Sequence, residues 1–257
     1  MKKMLLLLGI LPLFCLSYGQ EADSTKTPSF FSGTITATNN GISLIPSFSL
    51  NKPAALFDLS MGKGRWSFDP MLRFNMNGKP WSFIFWGRYK AFDTKKFKMS
   101  IGAHPSFVFR EVTITTNTGE EQNYLNAQRY FAWEATPTYF PNEKIGFGIA
   151  YLGSRGLTND IVRNTTFLAI KSIMPHISLN KKFFLTLIPQ VFYLRMDDFN
   201  GTYVSAYLGI SMEKFPISIT STMSKKIRSD IAGKDFLWNI AANYNFNNKY
   251  NRIDKVL

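Results

Sequence analysis

The chain has 257 residues, 45% hydrophobic and 18% charged, with a formal net charge of +13 and a single cysteine, Cys15. A lone cysteine excludes an intramolecular disulfide framework, so backbone hydrogen bonding and packing must hold the fold. The basic balance raises nucleic acid as a partner, but no nucleic-acid-binding fold or motif accompanies it and the chain begins like an exported protein, which sets that class aside.

In chain order, residues 1–19 read MKKMLLLLGILPLFCLSYG, with Lys2 and Lys3 ahead of an apolar run from Met4 to Leu16. This is the pattern of a secretory signal peptide, with cleavage expected between Gly19 and Gln20. The run is shorter than the roughly 20 apolar residues of a spanning helix. Phe14 stands before Cys15 where a lipidation signal takes a small residue, so Cys15 is expected to leave with the signal. Residues 20–40 are then an N-terminal segment, periplasmic or luminal.

From residue 30 onward, period-two alternation recurs between short turn-like clusters, and helical spacing is nearly absent. Candidate strands fall at 30–38, 41–50, 54–61, 65–76, 81–91, 96–114, 122–140, 145–154, 165–179, 183–196, 202–212, 217–228 and 236–247. The chain is all-β. In 65–76, Trp66, Phe68, Pro70, Leu72 and Phe74 oppose Arg65, Ser67, Asp69, Arg73 and Asn75. The strands at 96–110 and 236–247 divide likewise into one apolar and one wet face.

A soluble sandwich makes the same pattern. Strands of ten or more residues, aromatics near their ends and the export signal favour a single transmembrane antiparallel β-barrel in the outer membrane. Closure also leaves no unpaired edge in lipid. The connections near 115–122, 154–165, 197–201 and 229–235 share one parity of turn and are taken as extracellular, while PNEK, NKK and EKFP face the periplasm. Counting back from a periplasmic C-terminus makes 41–50 the first of 12 strands, 41–247 the barrel and 248–257 a periplasmic tail. Residues 30–38 are left over, to pair beneath the wall or fold into the lumen.

Residues 239–246, NIAANYNF, resemble the terminal signal by which outer-membrane barrels are recognised, which implies the barrel-assembly machinery as a partner during biogenesis. The signal ending SYGQ, together with GISLIPSFSLNKPA, GKPWSFIFWGRYK and SKKIRSDIAGKDFLWN, resembles the uncharacterised outer-membrane β-barrel family of Bacteroidota. That resemblance implies the compartment and carries no activity. Asp23-Ser24-Thr25 resembles the O-glycosylation sequon of that phylum.

Six prolines, Pro46, Pro70, Pro105, Pro137, Pro175 and Pro189, share the apolar phase and lie near predicted periplasmic turns. Each removes a ladder donor. Two readings stand side by side: a girdle of bulges that bends the wall, or prolines gathered near the interface, where water satisfies the orphaned carbonyls.

The wet phase is expected to line the lumen. Its basic members are Arg65, Arg73, Arg88, Lys90, Lys98, Arg110, Lys226 and Arg228, against the acidic Asp58, Asp69 and Glu134. A low-dielectric wall with this bias concentrates anions, and arginine forks suit carboxylate, sulfate or phosphate. Passage or binding of small anionic solutes is therefore one reading. A sealed accessory barrel docked to another envelope protein is the second, because polar interiors are often filled by ion-pair networks. A lipid-modifying enzyme is the third, and would need a nucleophile set around His104 or His176; no local pattern supplies one, so no enzyme is expected. The two histidines lack metal-ligand spacing and no cofactor is implied. Gly62-Lys63-Gly64 reads as a hairpin turn. Lys95-Lys96, Lys181-Lys182 and Lys225-Lys226 are expected at turns, facing outer-membrane lipid phosphates. Arg129, Lys171 and Lys225 sit on the apolar phase, where a midplane cation costs roughly 2–4 kcal/mol. An outward-facing, central Lys171 would point to a partner protein covering that wall.

Overall fold

The computed structural model describes residues 27–115 and 119–250. The signal peptide, Cys15, the Asp23-Ser24-Thr25 match and the tail beyond Tyr250 lie outside these residues. The strands are β1 (Ser29–Thr38), β2 (Ala54–Lys63), β3 (Trp66–Asn75), β4 (Pro80–Asp93), β5 (Phe97–Thr115), β6 (Glu121–Asn142), β7 (Ile145–Gly156), β8 (Asn164–Ser178), β9 (Phe183–Met196), β10 (Phe199–Met212), β11 (Ile217–Ser229), β12 (Phe236–Trp238) and β13 (Ala241–Tyr250). Every pairing is antiparallel and joins neighbours in the chain, except that β11 also pairs with β13 and that β1 pairs with β13 and so closes the ring. Short β12 and β13 both pair with β11 and form one interrupted stave. The result is a closed barrel of 12 strands.

The alternation fixes which way the faces look. Trp66 is 66% exposed, Ile170 69% and Trp238 47%, all on the outside of the ring. No second sheet covers them, so the sandwich alternative falls. Near one rim the outer aromatics gather in pairs, Trp66 on Tyr89 with centroids 4.6 Å apart and Phe92 on Phe97 at 5.6 Å. A closed ladder with an apolar exterior and aromatic rim is built for hydrocarbon, and this protein is an outer-membrane barrel.

The closure seam is stitched from the inside. Thr36 Oγ1 donates to Asn243 Oδ1 at 2.8 Å and Thr34 Oγ1 to Asn245 Oδ1 at 2.9 Å. The Asn243 amide in turn donates to Thr220 Oγ1 at 3.0 Å, and that of Asn245 to Ser218 Oγ at 3.0 Å. This polar zipper explains the asparagines that alternate along the last strand.

The strand count is as expected, but its membership differs. Residues 30–38, left over in the sequence reading, are wall strand β1, and 41–50 is no strand. Instead the connection 39–53 turns into the barrel, with one 3₁₀ turn at Pro46–Phe48. The last strand also runs on to Tyr250, three residues into the segment expected as a tail. The parity of the turns survives. The β1–β2, β5–β6, β7–β8 and β11–β12 connections share one rim, and those at 64–65, 94–96, 143–144, 179–182 and 213–216 the other. By the rule that long loops face outward, the first rim is extracellular. The turn at 197–198 is tight rather than long, with Asp197 at φ 52°.

The bulge girdle is not formed. Register runs unshifted through Pro70, Pro105, Pro137 and Pro189, each paired on one side and facing a short gap in the ladder on the other. Only Pro175 sits at a register shift, between Met174 and Ile177. Pro46 lies inside the barrel, not on its wall. A missing N–H opens one rung without requiring an extra residue.

Candidate functional site in the barrel lumen

The segment 39–53 is held at its base by a close approach. Gly41 N–H donates to the Lys52 carbonyl at 2.9 Å, and the Gly41 carbonyl accepts from Leu50 N–H at 2.9 Å. A Cβ on Gly41 would meet Trp81 Cζ3 at 3.0 Å, Leu50 Cβ at 3.1 Å and Ala54 Cβ at 3.2 Å, which is why glycine stands here. The tip then spans the lumen. Trp81 Nε1 of β4 donates to the Phe48 carbonyl at 2.9 Å, and Arg110 of β5 donates to the Ser47 carbonyl at 2.7 Å. The Phe48 ring packs on Tyr130 of β6 at 5.4 Å. On the far side Ile45 is buried among Phe167, Ala169, Phe192, Leu194, Met196, Tyr203 and Ile231. A segment touching β4, β5, β6, β8, β9 and β10 is a stopper across the extracellular half of the lumen.

Beneath it, two cavities follow one another. The upper, of about 310 Å³, is lined by the stopper, by Arg73, Trp86, His104 and Tyr130, and by the serines Ser82, Ser106 and Ser154. The lower, of about 540 Å³, is lined among others by Phe30, Lys90, Asp93, Lys98 and Phe140. Arg88 borders both. It donates through one terminal nitrogen to Asp69 at 2.7 Å and through Nε to Glu134 at 2.6 Å, with its guanidinium 4.4 Å from the Trp86 ring centroid. Asp69 also accepts from Ser60 and Ser67. This arginine with two carboxylates forms a polar waist between the cavities.

The other expected lumen residues are placed as follows. Arg73 stands beside the Trp81 ring and donates to Met71 sulfur, while its buried Nε has no partner. Lys90 lies over Phe30 and Lys98 over Phe140, both in the lower cavity. Asp58 has a buried carboxylate oxygen without a partner. Lys226 pairs with Asp235 of the extracellular connection. Arg65 sits at a periplasmic turn, reaching the Ala91 carbonyl, and Arg228 is exposed toward the extracellular rim, so neither belongs to the inner site. His104 packs edge-on against Trp86 at 4.0 Å inside the upper cavity, and His176 stacks on Phe184 at 3.8 Å on β8 and β9. The structure does not bring the two histidines together, and His104 opens inward rather than toward lipid.

Two expectations about lysines change. Lys171 shares the inward phase of buried Phe167 and Ala169, while Leu168 and Ile170 face out, so no partner is needed to cover it. Lys225 and Lys226 lie within β11, not at a turn. The sequence reading missed the apolar inner wall of β8–β10 because both phases there are apolar. It also missed the stopper, whose own alternation imitates a strand. Among the described residues no cluster of His, Cys, Asp or Glu could hold a metal ion.

No protein-family model matches the sequence, and no curated protein matches it. Solved structures do match the fold. The KdgM porin in complex with disordered oligogalacturonate aligns over 84% of this chain and 99% of its own at 7% identity, with a TM-score of 0.49. The NanC porin aligns over 86% and 100% at 12% identity, with a TM-score of 0.47. LpxR from Salmonella typhimurium aligns over 84% and 99% at 11% identity, with a TM-score of 0.46. All are bacterial outer-membrane barrels, and they include porins and an enzyme alike. The expectation that this chain is no enzyme is therefore withdrawn.

Proposed function

We propose that the lumen is a conduit and binding space for small anionic solutes, closed at its extracellular mouth by residues 41–50. The observation that carries this reading is the imbalance inside. Among the described residues Arg73, Lys90, Lys98, Arg110 and Lys171 have no carboxylate within ion-pair distance. The acids Asp69 and Glu134, by contrast, are both held by Arg88, which leaves Asp58 and Asp93 as the interior acids without an ion pair against these five cations. Unneutralised cations in a low-dielectric tube attract anions and repel cations. We also assign the chain to the Bacteroidota barrels, on the sequence resemblance alone, and NIAANYNF to recognition by the assembly machinery.

A second reading has its own support. A stopper hydrogen-bonded to three wall strands, through Trp81, Arg110 and Met196, suits an accessory barrel that stays sealed and docks to another envelope protein.

Proteoliposomes separate the two. With residues 42–50 replaced by a short Gly-Ser linker, chloride and acetate are expected to cross at least several times faster than potassium, whereas the native barrel passes them slowly. Equal passage of anion and cation would overturn the anion reading. A stoichiometric envelope protein retained in mild detergent, with no flux even after the linker exchange, would favour the accessory barrel.

A further inference from the structure

The upper cavity has features that a space merely filled by water does not require. His104 and Arg73 both line it, and His104 is 5% exposed. Nδ1 of His104 and Nε of Arg73 are buried and lack hydrogen-bond partners, although the Pro105 carbonyl lies near the imidazole. Buried polar nitrogens are costly to leave unmet, by about 1–3 kcal/mol each; Arg73 Nε is always a donor and His104 Nδ1 is one in the tautomer that carries its proton there, so the pair beside one void marks a place for an acceptor. Ser82, Ser106 and Ser154, all nearly buried, add hydroxyls. Asp58 is the nearest rival acceptor by register, on the strand next to Arg73, yet it makes no ion pair with it and does not line the cavity.

Ile84, Trp86, Val108 and Leu152 form an apolar side below the roof of Ile42 and Ile45, and the other polar residues at the cavity include Tyr130 and Glu134, whose carboxylate is paired with Arg88. The floor is the Arg88 waist, whose positive charge is already met by two carboxylates. A volume of about 310 Å³ is at the small end of known ligand sites, too small for an oligosaccharide or a lipid chain with its headgroup. An inorganic dianion would match the donors but leave the greasy wall uncovered.

The geometry points to a closed binding site for a small monocarboxylate with an apolar body, its carboxylate meeting Arg73 and His104 and its body lying against Trp86, Ile84, Val108 and Leu152. This rests on the anion reading and names its solute class. The stopper roofs the site, so residues 41–50 must move for the solute to enter or leave by the extracellular side.

Isothermal titration of the full-length barrel in detergent tests this with three probes: 3-phenylpropionate, its primary amide, and inorganic phosphate. Saturable binding of the carboxylate is expected, with amide and phosphate at least tenfold weaker. R73Q, checked for folding by heat-modifiable gel mobility, is expected to weaken the carboxylate at least tenfold. Ala132→Phe, which fills the same cavity from β6, is expected to abolish it. Amide bound as tightly as acid, either variant binding like the native chain, or no binding of the carboxylate would each overturn the site. If binding is absent while the linker-exchanged barrel still prefers anions in flux, the site fails and the anion conduit stands; a cation preference in flux removes the conduit itself.

Discussion

Arg88 shows what single side chains do inside this barrel. Its guanidinium satisfies two carboxylates that share the waist, and all three side chains are less than a quarter exposed. Removing it leaves Asp69 and Glu134 facing each other without a counter-charge. Arg88→Met is therefore expected to lower unfolding stability in detergent by about 3 kcal/mol, the low end for a broken buried pair because water-sized space adjoins it. The triple variant that also carries Asp69→Asn and Glu134→Gln is expected to recover most of that loss; no recovery would show that Arg88 acts through packing on Trp86. At the seam, Asn243 bonds to Thr36 on one side and Thr220 on the other. Asn243→Ala strands both partners and is expected to cost about 1–2 kcal/mol in the same unfolding measurement. These inward polar residues were legible, since Asp69, Arg73, Arg88, Glu134 and the terminal asparagines all fall on the wet phase. Lys171 was not: its neighbours Phe167 and Ala169 made an inner face look like an outer one.

At the scale of elements, the stopper is the part the sequence concealed. GISLIPSFSL alternates as a wall strand does, but its apolar residues serve a different surface, the greasy inner wall of β8–β10. That wall is apolar on both phases because one side faces lipid and the other faces Ile45. Periodicity cannot separate these uses, since it records burial and not what does the burying. Conversely, the turn parity and the 12-strand count were legible because each hairpin carries its own turn residues. The β5–β6 hairpin, predicted to end in a loop near 115–122, keeps its pairing to Thr115 and Glu121, beyond the last partners offered by β4 and β7. Lys79 pairs with Glu111 at the base of this projection. The stopper's attachment is testable by itself. Trp81→Phe removes the bond to the Phe48 carbonyl while keeping an aromatic ring, and is expected to raise single-channel open probability with little change in barrel stability. Unchanged gating would mean that the apolar contacts of Ile45 hold the segment alone.

For the whole molecule, the outside and the inside of one closed sheet do separate jobs. The outer face answers to hydrocarbon, with the prolines opening single rungs while the register continues. The inner face is divided along its length into an apolar stopper, a small cavity, an ion-paired waist and a wider lower cavity with Lys90 and Lys98. The charge left over in that sequence is positive, and it is the basis of the anion reading. The reversal potential of the linker-exchanged barrel in a planar bilayer, under a tenfold potassium chloride gradient, examines this most directly. A potential close to the chloride equilibrium value is the expected result; one close to the potassium value would contradict it.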